Sequence, residues 1–250
     1  MTTPSMHARA FVSPSCWSSS EPDLEADESH HLLRVLRVRE GREIEVLNGR
    51  GGVGAAVVDS IRGEKVRLRI RERREAAPPP VRVTLLQALP REQQMDLIIQ
   101  KATELGVSAV VPLMTAHSIV KLDAAKARQR RERWERIALG AIKQSGNPWL
   151  PSIETPCALE DALARVSGLD LLLVGALREG ARPLREVLRE APSRRPLSIG
   201  ALVGPEGDFT DAELEGMSAR GAQPVGFGNT VLRVETAAVF ILSALRYEFG

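Results

Sequence analysis

The chain has 250 residues, 43% apolar and 26% charged, ordinary globular proportions that exclude a disordered or fibrous protein. Its net charge is only +2, so it is no polycation, and its longest apolar run, 237–245, is interrupted by Ser243 and falls far short of the ~20 residues that span a bilayer. Cys16 and Cys157 form neither a disulfide framework nor a zinc pattern, and the first residues lack the apolar core of a secretory leader; a cytoplasmic protein with no membrane partner and no metal is expected.

The first zone, 1–75, reads as β-rich. His30 to Arg39 is a short apolar element carrying Arg34, Arg37 and Arg39. Residues 41–58 hold two apolar stretches around Asn48-Gly49, a strong hairpin dipeptide. Lys65 to Arg71 alternates, so that a strand there turns Val66, Leu68 and Ile70 inward and four cations outward. A small β-barrel with a basic outer face is the simplest picture, although a merely solvated strand face accounts slightly better for this zone taken alone. The three prolines of 71–80 then read as a semi-rigid connector.

The second zone, 76–250, alternates strands with helices. Residues 81–89 form a near-continuous apolar run, as in a strand buried on both faces. Between Arg91 and Leu105, Met95, Ile98, Ile99 and Ala102 share a helical face, with Gly106 at its end. Val107–Leu113 returns as a strand, and a basic helix covers Lys126–Gly140. Leu169–Val174 and Leu197–Val203 are further strands, and Thr210 with Glu213 is a capping box. Pro224–Phe227 is a last strand. A last helix, Glu235–Tyr247, carries Val239, Phe240, Leu242 and Leu245 for a core or for an interface. The alternation predicts an α/β domain on a parallel sheet.

Arginine supplies 29 of the 34 basic residues. It binds phosphate and stacks on bases better than lysine, which suits nucleic-acid work, but a GC-rich genome gives the same bias and the ratio alone decides nothing. No phosphate-binding P-loop, H-E-x-x-H or G-x-S-x-G is present. Gly226 to Val231 resembles a dinucleotide fingerprint but lacks its third glycine and follows the last strand, not the first.

The informative residues are LVGPEGDFT (202–210) and FGNTVLRVETA (227–237). Each follows a strand, bears glycines and opens a helix. Glycines at strand ends let backbone groups approach a ligand, and open parallel sheets bind ligands beyond their carboxyl ends. Together the two halves resemble the C-terminal signature of the SPOUT, or trefoil-knot, methyltransferases. Within that superfamily they are similar to the 16S ribosomal RNA (uracil-N3)-methyltransferase family. The resemblance also takes in Arg9–Val12, His31–Arg37, QKATELGV (100–107), Arg133-Trp134 and Gln144–Gly146, and so covers nearly the whole chain. The chain departs from the pattern at Asp208 (usually glycine), at Val234 (threonine) and at Gly228–Thr230 (glycine–x–arginine). Asn147 and His117 each stand where an arginine is common.

The resemblance implies a PUA-like RNA-binding barrel followed by a SPOUT domain with a deep C-terminal knot. It implies S-adenosylmethionine (SAM) as cofactor, held by Leu202, Val203, Gly204, Glu206, Gly207, Gly226, Gly228, Val231, Leu232, Thr236 and Ala237, although plain core packing also accounts for Val203. Arg233 is the expected catalytic cation and Glu206 the candidate proton acceptor, with Glu235 capping its helix or pairing Arg233. Arg9, Arg34, Arg37, Lys101 and Arg133 are the expected RNA contacts. The implied substrate is 16S rRNA, within the small ribosomal subunit, methylated at N3 of the family's uridine 1498 in rRNA numbering, by a homodimer. Another RNA target, such as a tRNA ribose 2′-OH, and a non-catalytic assembly factor are the competing readings.

Overall fold

The computed structural model describes residues 8–118, 122–176, 178, 180–191 and 197–250. Packing divides the chain into two units: residues up to Pro78 with Leu139–Leu150, and Pro79–Ala138 with Pro151–Gly250. The grouping of 139–150 with the first unit differs from the two-zone reading, and its cause is a set of side-chain and backbone contacts described below.

In the first unit, strands β1 (Arg9–Phe11), β2 (Glu43–Leu47), β3 (Gly52–Arg62) and β4 (Lys65–Glu75) form a sheet in that order, β1 parallel to β2 and the others antiparallel. The alternation of β4 buries Val66, Leu68 and Ile70 against Val46, Val58 and Leu32. Residues 20–24 run along the other edge of β4, where Leu24 N–H donates to Val66 and Leu68 N–H to Pro22. The β2–β3 connection is longer than the Asn48-Gly49 dipeptide suggests. The Asn48 side chain accepts from the N–H groups of Arg50 and Gly52, both at 2.8 Å, and Gly49 and Gly51 take the left-handed φ of +70° and +95°. Helix α1 (Ala26–His30) runs into a π-helical turn, His31–Val35.

Besides backbone bonds from Gly51 N–H to Pro148 C=O and from Leu150 N–H to Gly49 C=O, both 3.0 Å, charged side chains tie 139–150 to this unit. Glu28, 5% exposed, accepts from Phe11 N–H at 3.0 Å and from the Lys143 ammonium. Arg9 pairs with Glu45 at 2.6 Å and donates to the carbonyls of Lys143 (3.0 Å) and Gln144 (2.9 Å), the open end of a helix. Gly146, at φ +78°, follows that end, and a Cβ there would lie 3.0 Å from the Arg9 guanidinium. Glycine at 146 therefore serves both the helix stop and the arginine that caps it.

In the second unit every strand pairing is parallel. The elements are β5 (Val81–Ala88), α2 (Glu92–Glu104), β6 (Ala109–Met114), α3 (Ala124–Ser145, whose end belongs to the first unit), β7 (Ser152–Ile153), β8 (Cys157–Ala158), α4 (Leu159–Arg165), β9 (Leu171–Gly175), β10 (Arg182–Pro183), α5 (Leu184–Arg189), β11 (Leu197–Val203), α6 (Asp211–Ser218), β12 (Ala222–Gly226) and α7 (Val234–Phe249). The strand order is β10-β12-β9-β11-β5-β6-β7, with β8 also on β6. Central β11 is buried along almost its whole length, as its apolar run requires. Helix α7 packs on α2, β5 and β11, burying Ile241, Leu242 and Leu245 and leaving Phe240 and Tyr247 exposed; its apolar face serves the core first.

Lys143→Met would leave the buried Glu28 carboxylate without its cation and should lower the unfolding free energy by about 3 kcal/mol, seen as an earlier midpoint in urea. Arg71→Ala, which removes an exposed pair with Glu43, should leave that midpoint in place.

Candidate active site

Three adjacent strands of the second unit deliver their carboxyl ends to one edge of the sheet. β11 ends at Val203 and passes into Gly204–Asp208; β12 ends at Gly226 and passes into 227–233; β9 ends at Gly175. Between these ends lies a cavity of about 520 Å³, within the ordinary range for a small-molecule site.

The loop after β11 is anchored by Phe209, 5% exposed, and by the capping box of α6. In that box Thr210 Oγ1 accepts from Glu213 N–H at 3.3 Å and Glu213 accepts from Thr210 N–H at 2.9 Å. Gly204 fits closely, since a Cβ there would meet Asp208 Oδ1 at 3.1 Å and the Phe209 ring at 3.2 Å. At Gly175 the added atom would lie 2.7 Å from the Phe227 ring, which rests on Phe240 with centroids 5.4 Å apart. Gly228, at φ +112°, takes a conformation that only glycine adopts without strain.

Seven of the residues expected at the site line this cavity: Val203, Gly204, Glu206, Val231, Leu232, Arg233 and Ala237. Val203 serves core and cavity together, being 3% exposed. Leu202 does not reach the cavity with its side chain; it is fully buried in the core beneath. Gly207, Gly226, Gly228 and Thr236 lie in the same loops and helix start, outside the lining set.

Arg233 is the N-cap residue of α7, and its backbone C=O accepts from Ala237 N–H at 2.8 Å. Its exposed side chain has no partner among the described residues, and neither has that of Glu206. Glu235 neither caps α7 nor pairs Arg233: one carboxylate oxygen is buried without a hydrogen bond. The sequence reading missed Arg91 and Gln94, which line the cavity from the start of α2. No local sequence pattern marks them, because they reach the cavity only through the pairing of β5, which precedes α2, with β11.

Residues 77–246 match the RNA methyltransferase domain family, and residues 24–71 match the RNA methyltransferase PUA domain. The ribosomal RNA small subunit methyltransferase E of Bacillus subtilis is 32% identical over 225 residues, 89% of this chain and 88% of its own. That of Synechocystis is 33% identical over 243 residues, 96% of this chain and 77% of its own. A Legionella pneumophila protein solved in complex with SAM superposes with a TM-score of 0.88 at 28% identity, over 96% of this chain and 97% of that one. Ribosomal RNA small subunit methyltransferase E of Neisseria gonorrhoeae, bound to S-adenosyl methionine, gives 0.86 at 26% identity over 98% of each chain. The chain belongs to the ribosomal RNA small subunit methyltransferase E family. Its architecture is the expected one: a PUA domain, then an α/β methyltransferase domain on a parallel sheet.

The expected basic outer face of β4 is largely neutralised. Arg67 holds Asp23 through two hydrogen bonds, 2.7 and 2.9 Å, and keeps that carboxyl below its ordinary pKa. Arg69 pairs with Asp59 and Glu21, Arg71 with Glu43, and Arg73 donates to Ser19 C=O while lying over the Trp17 ring. Of the expected RNA contacts, Arg9 is engaged within its own unit, Lys101 pairs with Glu104 at 3.0 Å and Arg133 with Asp96. Arg34 is exposed, with Glu64 at 3.5 Å. Arg37 is exposed at φ +51° and has no side-chain partner among the described residues.

Gly175→Ala should displace the Phe227 ring from Phe240 and lower the unfolding free energy by about 1–3 kcal/mol, seen as an earlier midpoint in urea.

Proposed function

We propose that this enzyme transfers the methyl group of SAM to N3 of a uridine in 16S ribosomal RNA, the family's uridine 1498. One observation carries the reading: Arg233 and Glu206, each free of a partner among the described residues, open from two different glycine loops into one cavity. The lining fits the cofactor. Val203, Val231 and Leu232 offer apolar faces suited to a purine, and Val231 is 77% exposed, an apolar surface that a bound ring would take out of water. Bound there, SAM supplies a methyl group already activated on a sulfonium, so no metal is needed.

The chain's residues supply the rest. Uracil N3 carries a proton at neutral pH, and removing it places negative charge on the flanking carbonyl oxygens. The Arg233 guanidinium, fixed by its N-cap backbone at the positive end of the α7 dipole, stabilises that developing charge. The Glu206 carboxylate, on the facing loop, takes the proton. Val231 and Phe227 exclude water and help place the acceptor nitrogen in line with the methyl group.

In the first unit Arg34 and Arg37 are available to phosphates. Such contacts position RNA without reading its sequence, which favours an assembled small subunit, with its own shape, as the partner. The reading includes a cytoplasmic homodimer and a knotted C-terminus. Exposed Leu97, Phe240 and Tyr247 support the dimer. The knot is supported by the path of the chain, which leaves β12 on the far side of β9 and returns as α7 across β11 and β5.

Arg233→Ala should keep SAM affinity within about threefold and lower turnover by about a hundredfold or more. Mass spectrometry of 16S rRNA from cells lacking the protein should show one uridine without its N3 methyl group, restored by the purified enzyme; a missing methyl group on a ribose would overturn the base assignment. Arg37→Ala should reduce the slope of log affinity for RNA against log salt by about one, whereas Arg67→Ala, already paired with Asp23, should leave it unchanged.

A further inference from the structure

Two loops distant in sequence meet beside the cavity. In the turn after β6, His117 Nδ1 lies 2.9 Å from the carbonyl oxygen of Asp208. A carbonyl oxygen only accepts, so Nδ1 carries a proton and donates it. The ring also sits over Gly207, where an added Cβ would come within 3.3 Å of His117 Cβ. The same turn is tied a second time, because Ala116 N–H donates to Glu213 Oε1 at 2.9 Å while Glu213 Oε2 holds Thr210. It is closed on itself by Thr115 N–H donating to Ser118 Oγ at 3.0 Å. Residues 115–118 thus grip the Gly204–Thr210 segment at both Asp208 and the helix cap.

That segment has a reason to need gripping. Asp208 has a φ of +58°, in the left-handed region, as does just one other non-glycine residue among those described, Arg37. A side chain makes this conformation unfavourable; glycine adopts it freely. Local bonds help Asp208: its N–H donates to Pro205 C=O at 3.0 Å and its Oδ1 accepts from Phe209 N–H at 2.8 Å. These bonds leave the Asp208 carbonyl to be held from outside, and His117 holds it. Positions 117 and 208 are also two of the places where the chain departs from the motif it resembles, and the structure brings the two departures into contact.

We propose that His117 is a positioning residue. It fixes Asp208 in its left-handed conformation and so sets how the Gly204–Asp208 backbone faces the ligand, a role that rests on the cavity being the SAM site. The test is a set of calorimetric SAM titrations on the full-length protein. His117→Ala should weaken binding about fivefold, and His117→Asn, which keeps an N–H near the Nδ1 position, should stay within about twofold of the unaltered protein. In an Asp208→Gly background, where the loop needs no clamp, the loss from His117→Ala should shrink to less than about twofold. Equal losses in both backgrounds, or no loss in either, would overturn the proposal while leaving the cofactor site intact. Failure of the unaltered protein to bind SAM would overturn the cofactor reading and this role with it.

Discussion

The site exists because β11 is paired in parallel with β5 on one side and β9 on the other. The register sets Val203 beside Gln87 and Leu202 beside Val174, so strands far apart in sequence stop at the same level. Once they do, Gly175, Gly204 and Gly226 emerge together, and past a last bond from Ala176 N–H to Val225 C=O the strands give way to loops whose backbone polar groups face the cavity. A ligand can use those groups as a neighbouring strand would. The buried Gln87 amide reinforces this junction, donating to the carbonyls of Ala88 and Val203 at the point where the two strands end. The helices that follow add direction: α7 brings the positive end of its dipole and an arginine, and α6 brings a capping box that stiffens the opposing loop.

Charge in this protein is used mostly for cohesion. The composition, rich in arginine, suggested a nucleic-acid surface, yet many of these arginines hold carboxylates or helix ends. Arg9 is the clearest case: one guanidinium joins β2 to the open carbonyls of a helix whose sequence lies more than a hundred residues away. The planar fork of arginine suits such a site, since it can serve a carboxylate and two carbonyls at once. A lysine presents a single ammonium group and could not span the same three acceptors. Others, Arg37 and Arg233 among them, have no side-chain partner among the described residues.

Much of this was legible in the sequence, for identifiable reasons. The alternation of Val66, Leu68 and Ile70 is a local pattern of period two, and the buried runs of β5, β9 and β11 need no partner to be recognised. The two glycine loops were legible because ligand-facing backbone requires unusual residues in a fixed order. What the sequence concealed depends on tertiary neighbours. The two-residue strands β7, β8 and β10 exist only because a longer strand lies beside them. The pairing of Arg67 with Asp23 neutralises a cation that the strand pattern alone leaves exposed. Arg91 and Gln94 belong to the site through the adjacency of β5 and β11, which no local pattern encodes. Residues 139–150 join the first unit through Glu28 and Arg9, more than a hundred residues away, and through backbone bonds of Pro148 and Leu150 to the β2–β3 connection.

The two left-handed residues that are not glycine, Arg37 and Asp208, form a natural pair of questions. Glycine would be the more stable choice at either position, by roughly 1 kcal/mol, unless the side chain or its surroundings return something. Asp208 has compensation within the structure: its own carboxylate bonds to Phe209 N–H, and His117 takes its carbonyl. Arg37 has none from the described residues. It ends a widened turn in which Leu36 N–H reaches back to His31 and Val38 N–H to Leu32, and its guanidinium stands in water beside the exposed Val35 and Leu36. The strain at Asp208 is thus compensated from within the loop and its neighbour, whereas at Arg37 no described side chain does the same. Arg37 therefore contributes an exposed guanidinium, with no side-chain partner among the described residues, to the surface of the PUA domain.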